Sequence, residues 1–245
     1  IYLAAPISPL SPRNPVGKFE AIFFDMGETL DYQQPTADEV FFQVLEEHGW
    51  SISREEQLAG LRWARKASSS YDVRLRENEM SPEELWGIFL RDLLEVLGIR
   101  DATPRQLKEI AAILRDLPSK MVCPPEVPAL LGELQQAGYH LGIISNWDHT
   151  LEEHCERHGL SRYFDGIYAS FVVGSSKPDA GIFRHALDQA GVPPQRALHV
   201  GDNYHADVLG ARAIGMHPVL LDPNDIYQAA DCAVIRSIAD LRAHL

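Results

Sequence analysis

The sequence predicts an α/β fold: a three-layer parallel sheet core whose first strand is separated from the others by an inserted four-helix cap. Three observations predict it. Ala21–Phe24 is an uninterrupted apolar run ending on Asp25, the pattern of a central parallel strand buried on both faces. Residues 36–117 carry helix signals and no convincing strand. After Pro124-Pro125, helix and strand patterns alternate to the end, as a parallel sheet requires.

Residues 1–17 hold four prolines and little charge, so they read as an irregular arm without the basic start and compact apolar stretch of a signal peptide. The strand Ala21–Phe24 follows, placing Asp25 at its carboxyl end, where open α/β sheets bind ligands. The next block has well-written helix starts. Thr36 with Glu39, Ser53 with Glu56, Ser81 with Glu84 and Thr103 with Gln106 each have capping-box spacing, and Pro82 and Pro104 stand at first helical positions. Val40, Phe41, Val44 and Leu45 make one apolar stripe, and Leu85, Ile88, Phe89 and Leu93 another. Four helices then form a small bundle. The remainder gives a helix near Val127–Gln136 before a strand at His140–Ile144, and a helix near Leu151–His158 before a short strand near Ile167–Ser170. Helix Ala180–Ala190 precedes strand Ala197–Val200, and a helix around Ala206–Ile214 precedes strand Pro218–Leu221. A last strand at Cys232–Ile235 leads to a terminal helix. The expected organisation is an arm (1–17), a core domain (18–34 and 120–245) and a helical cap domain (35–119).

The 245 residues suffice for one large domain or two modest ones. A formal net charge of −13 argues against nucleic acid or an anionic membrane as partner. No apolar run approaches a membrane span. Cys123, Cys155 and Cys232 show neither a disulfide framework nor metal-ligand spacing, so a reducing, cytoplasmic setting is expected. Either a monomer or a homodimer is compatible with this reading.

Four strand ends carry polar residues. Asp25 follows the first strand, Ser145-Asn146 follows Ile143-Ile144, Lys177-Pro178 lies beyond the Ile167 strand, and Gly201-Asp202 ends the Ala197 strand with Asp207 five residues further on. Each alone reads as a cap or a turn. Together they gather carboxylates, a hydroxyl, amides and a lysine at one sheet edge. Asp25 and Asp202 are hard oxygen ligands suited to Mg2+, the hydroxyls, amides and lysine suit a phosphate's oxygens, and a carboxylate can act as nucleophile. That chemistry is phosphoryl transfer from a small phosphorylated substrate.

The chain therefore resembles the haloacid dehalogenase superfamily, with its Rossmann-like core and, in one branch, a helical cap inserted after the first strand. Four motifs match in order, Asp25–Thr29, Ser145, Lys177-Pro178 and Gly201-Asp202 with Asp207, over about residues 19–240. The stretches at 144–148 and 199–207 are similar to the haloacid dehalogenase-like hydrolase domain-containing subgroup. The resemblance implies Asp25 as nucleophile, Thr29 and Ser145, with Asn146 beside it, as substrate contacts, and Lys177 as the charge that orients the nucleophile. It implies Mg2+ held by Asp25, the Gly27 carbonyl and Asp202, with Asp207 in the outer shell.

One position departs from the pattern. The family's phosphatases carry Asp two residues after the nucleophile, as the acid that protonates the leaving alcohol; here Gly27 stands there, followed by Glu28. Such a group is worth ~100- to 10,000-fold in rate. The expected reading is a phosphohydrolase of reduced or unusual activity. Its alternatives are a weakly catalytic relative that binds a phosphorylated ligand or a protein, or a hydrolase of the dehalogenase or phosphonatase type. Asp202 argues against the metal-free dehalogenases, and Lys66, the cap lysine a Schiff base would need, reads with Arg62 and Arg65 as a solvated basic face. His154 and His158 have the i, i+4 spacing of zinc ligands but no third partner in the sequence pattern, so an exposed helix face is expected. Trp147, Asp148 and His149 are read as substrate entrance or helix start, and Trp63 and Tyr71 as substrate contacts or cap packing.

Overall fold

A computed structural model describes residues 17–76, 81–227 and 229–245. The proline-rich arm, apart from Gly17, and the Tyr71 side chain lie outside the described residues.

In chain order β1 (Ala21–Phe24) is followed by β2 (Tyr32–Gln34) and four helices, α1 (Ala37–Glu47), α2 (Arg54–Arg76), α3 (Pro82–Val96) and α4 (Pro104–Arg115). The chain returns through β3 (Lys120–Val122) to α5 (Glu126–Gln136), β4 (His140–Ser145), α6 (Leu151–Arg157) and β5 (Gly166–Ala169). Then come α7 (Ser170–Val173), α8 (Ala180–Ala190), β6 (Ala197–Gly201), α9 (Gly210–Ala213), β7 (His217–Leu221) and β8 (Ala233–Ile235). Six strands make one parallel sheet in the order β5-β4-β1-β6-β7-β8. β1 lies at its centre, with Phe23 level with Gly142 of β4 and with His199 of β6.

Strand alternation sorts the core into two layers. Ile22 and Phe24 join Leu141, Ile143, Leu198 and Val200 beneath Leu130, Leu131 and Leu134 of α5. Ala21 and Phe23 join Ile144 and Ala197 against Ile182, Phe183 and Ala186 of α8. Both neighbours of β1 are paired along its full length, so every residue of the run Ala21–Phe24 is buried. Phe23 owes its place to Gly142, because a Cβ there would stand 2.7 Å from the Phe23 ring.

The four inserted helices have their own apolar cluster, with Phe41, Val44, Leu45, Leu90, Leu94 and Ile110 at its centre. All four expected capping boxes form, each with its Ser or Thr hydroxyl accepting from the amide three residues on. Trp63 packs on Phe89, ring centres 5.3 Å apart, within this cluster.

Several expectations are corrected. The connections at the two ends of the insertion are not plain loops, because β2 and β3 pair antiparallel from Tyr32↔Val122 to Gln34↔Lys120. The chain thus leaves for the helices and returns on one two-stranded ribbon. Ser170 opens α7 instead of ending a strand. The helix after β6 starts as a π-wound segment, Tyr204–Leu209, before α9, and the C-terminal helix is a 3-10 helix, Ile238–His244. The α6 face expected to be exposed is buried at Leu151, His154 and Cys155, because it packs toward Trp147 and Asp31. No described helix is long and apolar enough to cross a membrane.

Gly142→Ala is expected to destabilise the protein by about 1–3 kcal/mol, since the added methyl must displace a fully buried ring; urea unfolding measures it.

Candidate active site

Every residue singled out at the strand ends meets at the carboxyl edge of the sheet. Asp25 leaves β1 with its amide hydrogen-bonded to the Val200 carbonyl at 2.8 Å. The next residues form a tight loop in which the Thr29, Leu30 and Asp31 amides all return to the Met26 carbonyl, at 3.3, 2.8 and 3.3 Å. Within it Glu28 takes a positive φ of 57°, uncommon for a residue with a side chain. The Thr29 hydroxyl is buried and has no hydrogen-bond partner among the described residues. A buried hydroxyl left this way is costly unless a ligand completes it.

Lys177 is 2% exposed, yet it sits between two carboxylates. Its Nζ lies 2.7 Å from Asp25 Oδ1 and 2.6 Å from Asp207 Oδ1. Burial pulls the ammonium's pKa down, but Asp207 and Asp25 outweigh it and leave it raised. The loop that carries Lys177 is fixed by Asn146, whose Nδ2 donates to the Lys177 carbonyl at 2.9 Å while its Oδ1 accepts from the Lys177 amide at 2.8 Å. Ser145, at the end of β4, is buried beside it.

Asp207 has little capacity to spare. Its Oδ1 accepts from Lys177 and faces His199 Nε2 at 2.9 Å, and its Oδ2 accepts from the Asn203 amide at 3.0 Å. Burial pushes this carboxyl up, but Lys177 and His199 win and hold it well below the usual carboxylate range. The wide π-turn after Asn203 brings Asp207 back over Gly201, where any Cβ would overlap its carboxyl group.

Asp202 differs. Burial pushes it up to about 7, opposed by Arg65 and reinforced by Asp25 and Asp207. Asp25, Asp202 and Asp207 each offer a carboxylate oxygen within 4.8 Å of the others. Three crowded carboxylates form a set of hard oxygen donors that fits Mg2+ and suits no soft metal.

Sequence reasoning missed two partners. Arg65, expected on a solvated face, reaches down from α2 to the Asp202 carboxylate and to its carbonyl oxygen at 3.1 Å. Arg62 likewise donates to the Ile226 carbonyl at 2.9 Å, while Lys66 is exposed. The face is not solvated because Leu58 and Leu61 dock α2 on Ile226 of the core. His199 is the other; the legible signal was a histidine inside the apolar run Leu198–Val200, two residues before Gly201. Glu28 stands near this cluster, raised by burial and drawn back by Arg65. A Cβ on Gly27 would meet only Trp147, at an ordinary 3.7 Å.

A parallel sheet bearing carboxylates and a buried lysine at its carboxyl edge, beneath helices inserted after β1, defines a hydrolase of the haloacid dehalogenase type. The family model for haloacid dehalogenase-like hydrolases matches residues 19–215, and the chain belongs to that family. It is 41% identical over 99 residues to haloacid dehalogenase-like hydrolase domain-containing protein 3 of Xenopus laevis, 40% of this chain and 41% of that protein, so the match spans less than half of that relative. It is 30% identical to a glyceraldehyde 3-phosphate phosphatase of Methanothermobacter thermautotrophicus over 214 residues, 83% of this chain and 85% of that one. Among solved structures, a dehalogenase superposes with a TM-score of 0.61 at 22% identity, covering 94% of this chain and 98% of the other, which bears on the fold alone.

Lys177→Met leaves one fully buried and one half-buried carboxylate without their shared cation. A loss of about 3–5 kcal/mol in unfolding free energy is expected, again measured by urea denaturation.

Proposed function

We propose that the protein is a Mg2+-dependent phosphohydrolase acting on a small phosphorylated metabolite through an aspartyl-phosphate. The observation that carries this reading is Asp25, held by buried Lys177 beside Asp202, with the unpartnered Thr29 hydroxyl in the adjoining loop. The similarity to a named phosphatase supports it.

In this reading a carboxylate oxygen of Asp25 attacks phosphorus, the bond from phosphorus to the leaving oxygen breaks, and water later cleaves the acyl phosphate to regenerate Asp25. Lys177 holds the nucleophile in place and offsets negative charge on the transferring group. Thr29 and Ser145 donate to phosphoryl oxygens. Asp25, Asp202 and the Gly27 carbonyl would hold Mg2+, which, when bound, offsets the charge of the incoming phosphate and polarises it. Asp207 acts behind them, positioning Lys177. Asn146 positions the Lys177 backbone through both amide atoms, and the second hydrogen of its Nδ2 can still contact substrate.

Gly27 supplies no proton to the leaving group. The reading therefore favours substrates whose leaving group needs none, acyl or aryl phosphates above alkyl phosphates. With Mg2+ and not with chelator, acetyl phosphate should turn over and an alkyl phosphate monoester should not. Asp25→Asn should abolish turnover; retained activity removes the nucleophile assignment. Gly27→Asp, for which there is room against Trp147, should raise alkyl phosphatase activity by ~100-fold or more. Equal turnover of both substrates by the native chain would instead make Glu28 the acid.

Arg65 on Asp202 also favours a second reading, a relative that binds a phosphorylated ligand and turns it over poorly. Arg65→Ala frees the carboxylate and removes a competing cation, so Mg2+ should bind about tenfold tighter, ~1.4 kcal/mol, by titration calorimetry. Unchanged affinity would remove Asp202 from the metal site.

A further inference from the structure

A second cluster of ligand-type side chains lies outside this site. His154 and His158 stand one turn apart on and just after α6, and the fold brings a third group to them, Asp31, which directly precedes β2. Asp31 and His154 are buried and His158 is half-buried. Asp31 Oδ2 lies 2.5 Å from His154 Nε2 and 4.0 Å from His158 Nε2. The imidazole centres are 4.6 Å apart, and one ligand atom from each residue lies within 4.8 Å of the others.

A simple carboxylate–imidazole hydrogen bond explains only part of this. It accounts for His154. It leaves His158 Nε2 facing the same oxygen from beyond hydrogen-bond range. It also leaves Asp31 Oδ1, the other oxygen of a fully buried carboxylate, without a hydrogen-bond partner among the described residues. An unsatisfied oxygen so placed is expensive, and a cation shared by the three side chains would remove that cost where the carboxylate engages it through both oxygens.

We propose that Asp31, His154 and His158 form a Zn2+ site. Three ligands at Zn2+ distances of ~2.0–2.1 Å in tetrahedral geometry stand about 3.3 Å from one another. The two carboxylate–imidazole separations, 2.5 and 4.0 Å, bracket that value, and the ligand atoms of all three side chains lie within 4.8 Å of one another, so modest side-chain shifts complete the site. Two imidazoles and one carboxylate favour Zn2+, whereas the all-oxygen set of Asp25 and Asp202 favours Mg2+, so the two sites select different ions. The site also joins two parts of the catalytic edge. The Asp31 amide bonds to the Met26 carbonyl at the base of the Gly27–Thr29 loop. Trp147, two residues after Ser145, packs on the His154 ring at 4.9 Å. Zn2+ here would staple that loop to α6 without touching the reacting groups.

The test uses metal-stripped full-length chain titrated with Zn2+ in excess Mg2+, against a chromophoric chelator. One Mg2+-resistant Zn2+ per chain is expected, with a rise in Tm, and Co2+ in its place should give visible d–d absorption. His158→Gln, at the half-buried position, should weaken Zn2+ at least tenfold and lose the Co2+ bands while its fold, checked by circular dichroism, is kept. Asp31→Asn should do the same, and Asp202→Asn should leave Zn2+ binding unchanged. Absence of stoichiometric Zn2+ in excess Mg2+, equal affinity in His158→Gln and Asp31→Asn, or loss of binding in Asp202→Asn alone would each overturn the proposal.

Discussion

Lys177 is an ammonium with almost no access to water, and the carboxyl edge of the sheet is arranged around keeping it charged. Two carboxylates hold it from opposite ends of the sequence, Asp25 from β1 and Asp207 from the turn after β6. Neither would tolerate its own burial without that cation, and the cation would not tolerate burial without them. Further details follow from this mutual dependence. Gly201 has no side chain because Asp207 must lie over it, His199 and the Asn203 amide complete the far side of Asp207, and Asn146 clamps the backbone that presents the lysine. Charge compensation in a dry site thus accounts for more of the local sequence than contact with any ligand does.

The same balance explains why Asp202 stands apart. It shares the crowd of negative charge but not the lysine, and the cation that pairs with it, Arg65, comes from the inserted helices. Asp202 is paired to one long side chain, whereas Asp207 is enclosed on both oxygens by Lys177, His199 and the Asn203 amide. Two aspartates five residues apart therefore stand in different electrostatic surroundings.

Much of this was legible in the sequence. The buried run before Asp25, the capping boxes and the strand-end motifs are local patterns, and local patterns survive folding: all four boxes form and all four motifs share one edge. What escaped reading depends on contacts between distant segments. His154 and His158 looked like a solvent-facing pair because their partner, Asp31, lies more than a hundred residues earlier. Arg65 looked solvated because the docking of α2 on Ile226 is invisible in the helix's own periodicity. The strands β2 and β3 were missed because three residues each, half exposed, are too short for an alternation to register.

That short ribbon has a consequence for how such a molecule can vary. The outgoing and returning chain are bonded to each other before either reaches the helices, so the insertion meets the sheet through one narrow stem. Helices grafted on or trimmed beyond Gln34 and Lys120 leave the register of the six-stranded sheet as it was. The inserted helices can be rebuilt in evolution, or by an engineer, while Asp25, Lys177 and Asp207 stay on a scaffold that does not register the change.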